Sequence, residues 1–166
     1  MPRGGGAAKE KSGLGGAVRG GRMAGMEEDA KLAVFVYGSL VPGGSYWGRY
    51  CEGKVVAKER ARVRGRIYQG RDGYLALAID GDGLRWIRGW RLILRDETCL
   101  QNFDRLEGFD AARPAEQNDY QRVRTACFAD DKAAAPAPLG EAWVYIMTPA
   151  QFTRAGALEI FSIPQT

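Results

Sequence analysis

Residues 54–68 alternate between apolar and basic side chains, and this pattern constrains the fold more than any other feature of the sequence. One face carries Val55, Ala57, Ala61, Val63 and Ile67. The other face carries Lys54, Lys58, Arg60, Arg62, Arg64 and Arg66. Because successive side chains of a strand point to opposite faces, this period of two predicts a half-exposed strand, bent near Gly65. The domain must therefore contain a sheet with one solvated face.

Several shorter segments extend this sheet. Asp80–Gly83 is expected to join two strands as a hairpin turn. Residues 97–107 are expected to form a helix with Asp96 or Thr98 at its start and Gly108 at its end, and Pro149 to begin a short helix that runs through Arg154. The further predicted strands are 33–36, 74–79, 84–94, 120–128 and 142–147. Together they predict an α+β domain over residues 31–160, with a mostly antiparallel, barrel-like mixed sheet and few helices.

The charge of the chain is unevenly distributed. The net charge is +4 over 166 residues, and residues 1–26 carry all of it, with five basic residues and one acidic residue. This glycine-rich, arginine-containing segment is predicted to be a disordered extension. The remaining domain is neutral, which argues against a nucleic-acid partner. The basic face of residues 54–66 is instead expected to be solvated and paired with acidic residues across the strand.

The chain contains no histidine and three widely spaced cysteines without a Cys-x-x-Cys motif. These counts exclude Ser-His-Asp and Cys-His centres and His-ligated metals, and the cysteine spacing gives no zinc motif. Unpaired cysteines are typical of a reduced, cytoplasmic protein. The apolar runs of the sequence, such as residues 32–36, are far too short to cross a membrane.

A glycine-rich turn follows the first strand. Residues 38–45 nearly match a phosphate-binding loop, but Gly44 stands where that loop needs lysine, so nucleotide hydrolysis is not expected. The backbone N–H groups of such a turn suit a carboxylate or an oxyanion. A tight turn without a ligand is the alternative, and the pattern by itself favours neither.

Glu107 is the most informative single residue. At about 100° per residue, it falls inside the apolar stripe of the predicted helix, between Leu100 and Phe103. Burial and the helix C-terminus should both raise its pKa, which suits an acid–base group near neutral pH. Two structural alternatives remain open: a frayed last turn that exposes Glu107, and a buried salt bridge to an arginine.

Three segments carry a resemblance to a known family. Phe35-Val-Tyr-Gly-Ser-Leu40, Leu106-Glu-Gly-Phe109 and Asp119-Tyr-Gln-Arg-Val123 occur in the order and spacing of the gamma-glutamylcyclotransferase-like family, and the chain resembles its bacterial members over residues 33–147. The resemblance implies an enzyme that releases 5-oxoproline from a γ-glutamyl amine or amino acid by intramolecular cyclisation.

The resemblance also implies roles for particular residues. Glu107 corresponds to the catalytic acid–base residue, and Tyr37, Gly38, Ser39 and Leu40 form the turn that holds the γ-glutamyl group. Tyr120 is expected to line the pocket. The partner is then a small-molecule substrate, with no metal and no cofactor. A non-catalytic module that binds a small metabolite through the same turn is the alternative function. The sequence leaves the amine and the oligomeric state open.

Overall fold

The computed structural model describes residues 18–163. Its helices are α1 (Val18–Leu32), α2 (Trp47–Tyr50), α3 (Glu97–Leu106) and α4 (Pro149–Ala155), with a 3-10 turn at Ala115–Gln117. Its strands are β1 (Ala33–Val36), β2 (Val55–Gln69), β3 (Leu75–Ala78), β4 (Arg85–Leu94), β5 (Gln121–Ala129), β6 (Pro138–Ile146) and β7 (Leu158–Ile160). Within these described residues, no helix combines the length and the apolar character that crossing a bilayer requires.

The strands form a mixed sheet that closes into a five-stranded barrel. Around the barrel the order is β2, β4, β1, β6 and β5, and β5 returns to pair with β2. The β1–β6 pairing is parallel, and the other pairings are antiparallel. Strands β3 and β7 both pair with the last residues of β2. The predicted α+β fold with a barrel-like, mostly antiparallel sheet is confirmed.

The inner face of β2 supplies part of the barrel core. Ala61, Val63 and Ile67 are buried there with Phe35 and Val144, as the period of two predicts. The start of the strand departs from the pattern, because the register with β4 shifts between Val55 and Ala57 and leaves Ala57 exposed. The apolar face predicted for residues 55–67 therefore begins in practice at Ala61.

The arginines on the outer face of β2 stack on aromatic rings of β4. The guanidinium of Arg60 lies 4.6 Å from the ring centre of Trp90, and that of Arg62 lies 4.6 Å from the ring of Trp86. Arg62 is buried, and its Nη2 donates to the carbonyl of Ala133 at 2.7 Å. The expectation of acidic partners directly across the strand is thus wrong, because β4 places tryptophans opposite Arg60 and Arg64. The expected solvation holds for Lys58, Arg60 and Arg64, which remain exposed.

The Asp80–Gly83 segment does not form the predicted hairpin. Strand β3 pairs with Arg66–Gln69 of β2, and β4 pairs with Val55–Gly65 of the same strand. After β3 the chain stops pairing with β2 and turns through Gly81 and Gly83, which both have positive φ. It then pairs with β2 again as β4, closer to the N-terminal end of β2. Both strands run antiparallel to β2, so they cannot form an antiparallel hairpin with each other.

The predicted N-terminal extension lies mostly outside the described residues, but its last part is helical. Residues 18–26 belong to α1, where the prediction had disorder. The end of this helix is held on the barrel by two side chains that cap its last carbonyls. Arg124 Nη1 donates to the Ala30 carbonyl at 2.7 Å, and Trp143 Nε1 donates to the Lys31 carbonyl at 2.9 Å. Long-range partners of this kind leave no mark on the composition of the segment itself.

Candidate active site

A cavity of about 420 Å³ opens at one end of the barrel. It lies between the turn after β1, the C-terminal end of α3, the turn between β2 and β3, and helix α4. The chemically active side chains that line it are Ser39, Asp72, Tyr74, Glu107, Asp119 and Tyr120. Three of the residues predicted from the sequence, Ser39, Glu107 and Tyr120, thus share one cavity.

The turn after β1 is stabilised from within. The N–H of Val41 donates to the Gly38 carbonyl at 3.2 Å, and the N–H of Tyr46 donates to the Ser39 carbonyl at 3.0 Å. The N–H groups of Gly38, Ser39 and Leu40 have no acceptor among the described residues. Three consecutive free donors beside a cavity are suited to an anionic or carbonyl oxygen. Leu40 itself is buried in the core, so only its backbone is available.

Tyr37 lies behind the turn rather than in the cavity wall. Its ring stacks on Phe35 inside the barrel, and its hydroxyl donates to the Tyr145 carbonyl at 2.8 Å. Burial, together with the nearby Tyr120 and Glu107, raises the pKa of Tyr37 well above its ordinary value. Tyr37 therefore anchors the start of the turn in the barrel interior, and its hydroxyl remains protonated.

Helix α3 places Glu107 at its C-terminal boundary. Asp96 caps the start of the helix by accepting from the Cys99 N–H at 3.0 Å, and Cys99, Leu100 and Phe103 form the buried stripe, as predicted. The N–H of Glu107 still donates to the Phe103 carbonyl at 2.9 Å, so the last turn is not frayed. The Glu107 side chain consequently faces the cavity.

Glu107 stands without a charged partner. Among residues 18–163, no cation lies within salt-bridge distance of its carboxylate and no group donates a hydrogen bond to it. Burial raises the pKa of Glu107 from its ordinary value of 4.5 to about 7. Neither structural alternative, the frayed turn or the buried salt bridge, accounts for this arrangement. A carboxyl group with a pKa near 7 can accept and return a proton at neutral pH.

Gly108 explains why the helix ends directly after Glu107. Its φ of +63° is unfavourable for other residues, and a Cβ at this position would collide with the Asp119 carboxylate. The Asp119 N–H also donates to the Gly108 carbonyl at 3.2 Å. Glycine therefore brings the loop before β5 against the end of α3, which joins Asp119 and Tyr120 to the site.

Tyr120 closes the cavity next to Glu107. Its hydroxyl donates to the Leu75 carbonyl at 2.8 Å. Burial, followed by the charges of Glu107, Asp72 and Asp119, raises the pKa of Tyr120 above its ordinary value. The hydroxyl thus stays protonated and fixed on β3.

The sequence analysis missed the contribution of α4 to the site. Gln151 Nε2 donates to the Asn118 carbonyl at 2.6 Å, and Arg154 Nη2 donates to the same carbonyl at 3.0 Å. These bonds hold the loop that carries Asp119 and Tyr120. Pro149 does predict a helix that begins here, and it forms with a complete capping box made by Thr148 and Gln151. Nothing in those local signals indicates where the helix docks.

The described part of the chain offers no group of three or more carboxylate or thiol side chains arranged to hold a metal ion. Its three cysteines are free and buried. The fold and the cavity together define an α+β barrel protein with a pocket of small-molecule size at one end. The sequence further matches the model of the family "Gamma-glutamyl cyclotransferase, AIG2-like" over residues 34–161, and the chain belongs to that family.

Comparison with solved structures gives similar folds at low sequence identity. YkqA from Bacillus subtilis is 20% identical with a TM-score of 0.48, and the match covers 69% of this chain and 35% of that one. The protein At5g39720.1 from Arabidopsis thaliana is 20% identical with a TM-score of 0.49, and the match covers 71% of this chain and 69% of that protein. An AIG2-like protein from Mus musculus is 18% identical with a TM-score of 0.49, and the match covers 73% of this chain and 82% of that protein. The chain thus spans about a third of YkqA. None of the curated protein sequences matches it.

Proposed function

We propose that the protein is a cyclotransferase that releases 5-oxoproline from a γ-glutamyl amine or amino acid, with Glu107 as its acid–base residue. One observation carries the proposal: an unpaired carboxyl group with a pKa of about 7 shares a cavity with a turn that has three free N–H donors. Membership of the gamma-glutamyl cyclotransferase, AIG2-like family supports this reading of the site.

The proposed reaction needs only the substrate and these groups. The N–H groups of Gly38, Ser39 and Leu40 bind oxygen atoms of the γ-glutamyl group and hold it folded. Glu107 accepts a proton from the α-ammonium, and the freed amine attacks the γ-carbonyl carbon. The new C–N bond closes the five-membered ring as the old amide C–N bond breaks. The attacking nitrogen loses a second proton as the ring forms, and Glu107 passes both protons in turn to the departing nitrogen, so the amine leaves as an ammonium ion and the protons and charge balance.

The cavity contributes mainly by holding the substrate in the cyclising conformation. An amine held within reach of its own carbonyl reacts as an intramolecular nucleophile, and such positioning can supply about 7–11 kcal/mol of the barrier. Donors aimed at the γ-carbonyl oxygen would add stabilisation as negative charge develops there. The chemistry calls for no cofactor. We place the reaction in the cytoplasm, because the three cysteines are free thiols.

The direct test is detection of 5-oxoproline after incubation with a panel of γ-glutamyl amines and amino acids. Wild type is expected to form 5-oxoproline from at least one member of the panel. Glu107→Gln should lower its formation by at least about 100-fold, the usual contribution of a positioned general base. Glu97→Gln, at the start of the same helix, is the matched control and should keep wild-type activity. Binding of γ-glutamyl compounds without any 5-oxoproline would instead support the non-catalytic binding module.

A further inference from the structure

The outer side of the barrel carries a row of cations that lie over tryptophan rings. Three pairs form this row, which we call the stacked face: Lys58 over Trp47, Arg60 over Trp90, and Arg64 over Trp86. In each pair the cation lies 4.6–5.1 Å from the centre of the ring. The cations are exposed and the rings are partly exposed. None of these residues lines the cavity of the candidate active site, so the stacked face is a separate surface.

The positive charge of the stacked face is not neutralised by neighbouring residues. Among residues 18–163, no carboxylate lies within salt-bridge distance of its three cations. Asp130 and Asp131 pair instead with Arg88, at 3.2 Å, and with Arg62, at 3.9 Å. The net neutrality of the domain is thus an average over its surface, and the stacked face keeps a local excess of positive charge. Such an excess attracts a polyanion.

The rings hold the cations ready for a ligand. A guanidinium that lies over an indole has already lost part of its rotamer freedom, and the N–H groups at its edge still point outwards. Within the described chain, Arg60 donates no hydrogen bond, and Arg64 uses one nitrogen to donate to the Leu84 carbonyl. Six residues of extended strand separate Lys58 from Arg64, which spaces the outermost cations by about 20 Å. The ligand must therefore be elongated and carry several anionic groups.

The rings between the cations select one kind of polyanion. Unpaired bases stack on aromatic rings and on guanidinium planes, while their phosphates bind arginine and lysine. An acidic peptide would use the cations alone, and the bases of a duplex are already stacked on one another. A membrane is a poorer partner, because the cations lie over the rings and keep them from inserting into lipid.

We infer that the stacked face binds a single-stranded nucleic acid. Its phosphates contact Lys58, Arg60 and Arg64, and its bases lie against the partly exposed rings beside these cations. The stacked face and the cavity share no residue, so this binding is independent of the proposed cyclisation. Substitutions on the stacked face should accordingly leave the formation of 5-oxoproline unchanged.

Fluorescence anisotropy of the full chain with a labelled oligothymidine of about 15 nucleotides tests the inference. Arg60→Gln combined with Arg64→Gln should weaken binding at least about 10-fold. It should also reduce the slope of log K against log salt by about 1.4, because each phosphate contact on a single strand contributes about 0.7. Arg105→Gln combined with Arg113→Gln is the matched control, since it removes the same charge from exposed positions outside the stacked face. The control should bind like wild type, and the basic N-terminal segment is common to all three proteins.

The tryptophans give a separate readout, because three of the four in the chain belong to the stacked face. Saturating oligothymidine should quench the indole emission of wild type, whereas polyglutamate of equal charge should neither quench it nor compete. Equal binding by the two double variants would overturn the inference. Binding of polyglutamate as tight as that of oligothymidine would also overturn it, as would binding to phosphatidylserine vesicles without binding to oligothymidine. If the stacked-face double variant melts below wild type, Arg60→Gln alone decides, since it loses no hydrogen bond and should weaken binding about 3-fold; unchanged binding would overturn the inference.

Discussion

Replacing Glu107 by glutamine should change how the stability of the protein depends on pH. The carboxyl group has an ordinary pKa of 4.5 and a pKa of about 7 in the folded protein, and burial is the cause. The folded state therefore holds this proton more tightly than the unfolded state does. The protonated carboxyl group therefore makes its full contribution to the unfolding free energy below about pH 4.5, and this contribution is lost as the pH rises through about 7.

The magnitude follows from the two values. Each pH unit of difference between the folded and unfolded pKa corresponds to about 1.36 kcal/mol, so ionisation of Glu107 costs up to roughly 3 kcal/mol of unfolding free energy. Part of the side chain is reached from the cavity, so this is an upper value. The glutamine side chain stays neutral and avoids the cost. Glu107→Gln should thus match wild type near pH 4.5 and exceed its stability by about 1–3 kcal/mol above pH 7.5.

Urea denaturation of both proteins at several pH values measures this difference directly. The comparison between the two proteins cancels the other titrating groups, which they share. A stability difference that stays constant from pH 4.5 to 8 would refute the raised pKa. A variant that is less stable than wild type at pH 8 would show instead that Glu107 is held by a partner whose loss is costly.

Three further substitutions test other parts of the architecture. Gly89→Ala should destabilise the protein by about 1–3 kcal/mol in urea denaturation, because its Cβ would collide with the Val36 carbonyl on the adjacent strand. Gly38→Val meets open space, so its melting temperature should stay close to that of wild type. Its kcat/KM for 5-oxoproline release should fall at least about 10-fold, because the side chain would crowd the free N–H donors. Tyr145→Phe should cost about 1 kcal/mol, since its hydroxyl donates to Asp104 Oδ1 at 2.8 Å; the same denaturation experiment checks it.

The sequence predicts best those elements whose signals are local. Helix α3 begins after Asp96 and ends before Gly108, because the cap and the left-handed glycine act within one turn of the helix. Helix α4 likewise starts at Pro149, as the capping residues indicate. The position of Glu107 inside the apolar stripe follows from helical periodicity alone.

The errors occur where a partner is distant in the chain. The Asp80–Gly83 turn looks like a hairpin, but β2 is long enough to pair with the strands on both sides of it. The basic face of β2 suggests acidic partners directly across the strand, but β4 places tryptophans there. In both cases the deciding residue belongs to another strand, whose register a local pattern does not encode.

The residues of the candidate site fall into the same two groups, those with a local sequence signal and those placed by distant parts of the chain. Ser39, Glu107 and Tyr120 belong to short motifs that can be identified in the sequence. Asp72 has no such signal, because its place in the cavity wall depends on where the turn between β2 and β3 lies. Arg154 is similar, since its two hydrogen bonds reach the loop before β5.

The parallel pairing of β1 with β6 has a consequence for synthesis on the ribosome. Val34 meets Trp143, about a hundred residues later in the chain, so β1 has a neighbour on only one side until β6 emerges. Until then the nascent sheet presents an open edge on β1, and such an edge invites pairing with other chains. Contacts of such long range also make folding slow. The last quarter of the chain therefore closes the barrel. Both the barrel and the wall of the cavity are complete only when this part has been translated.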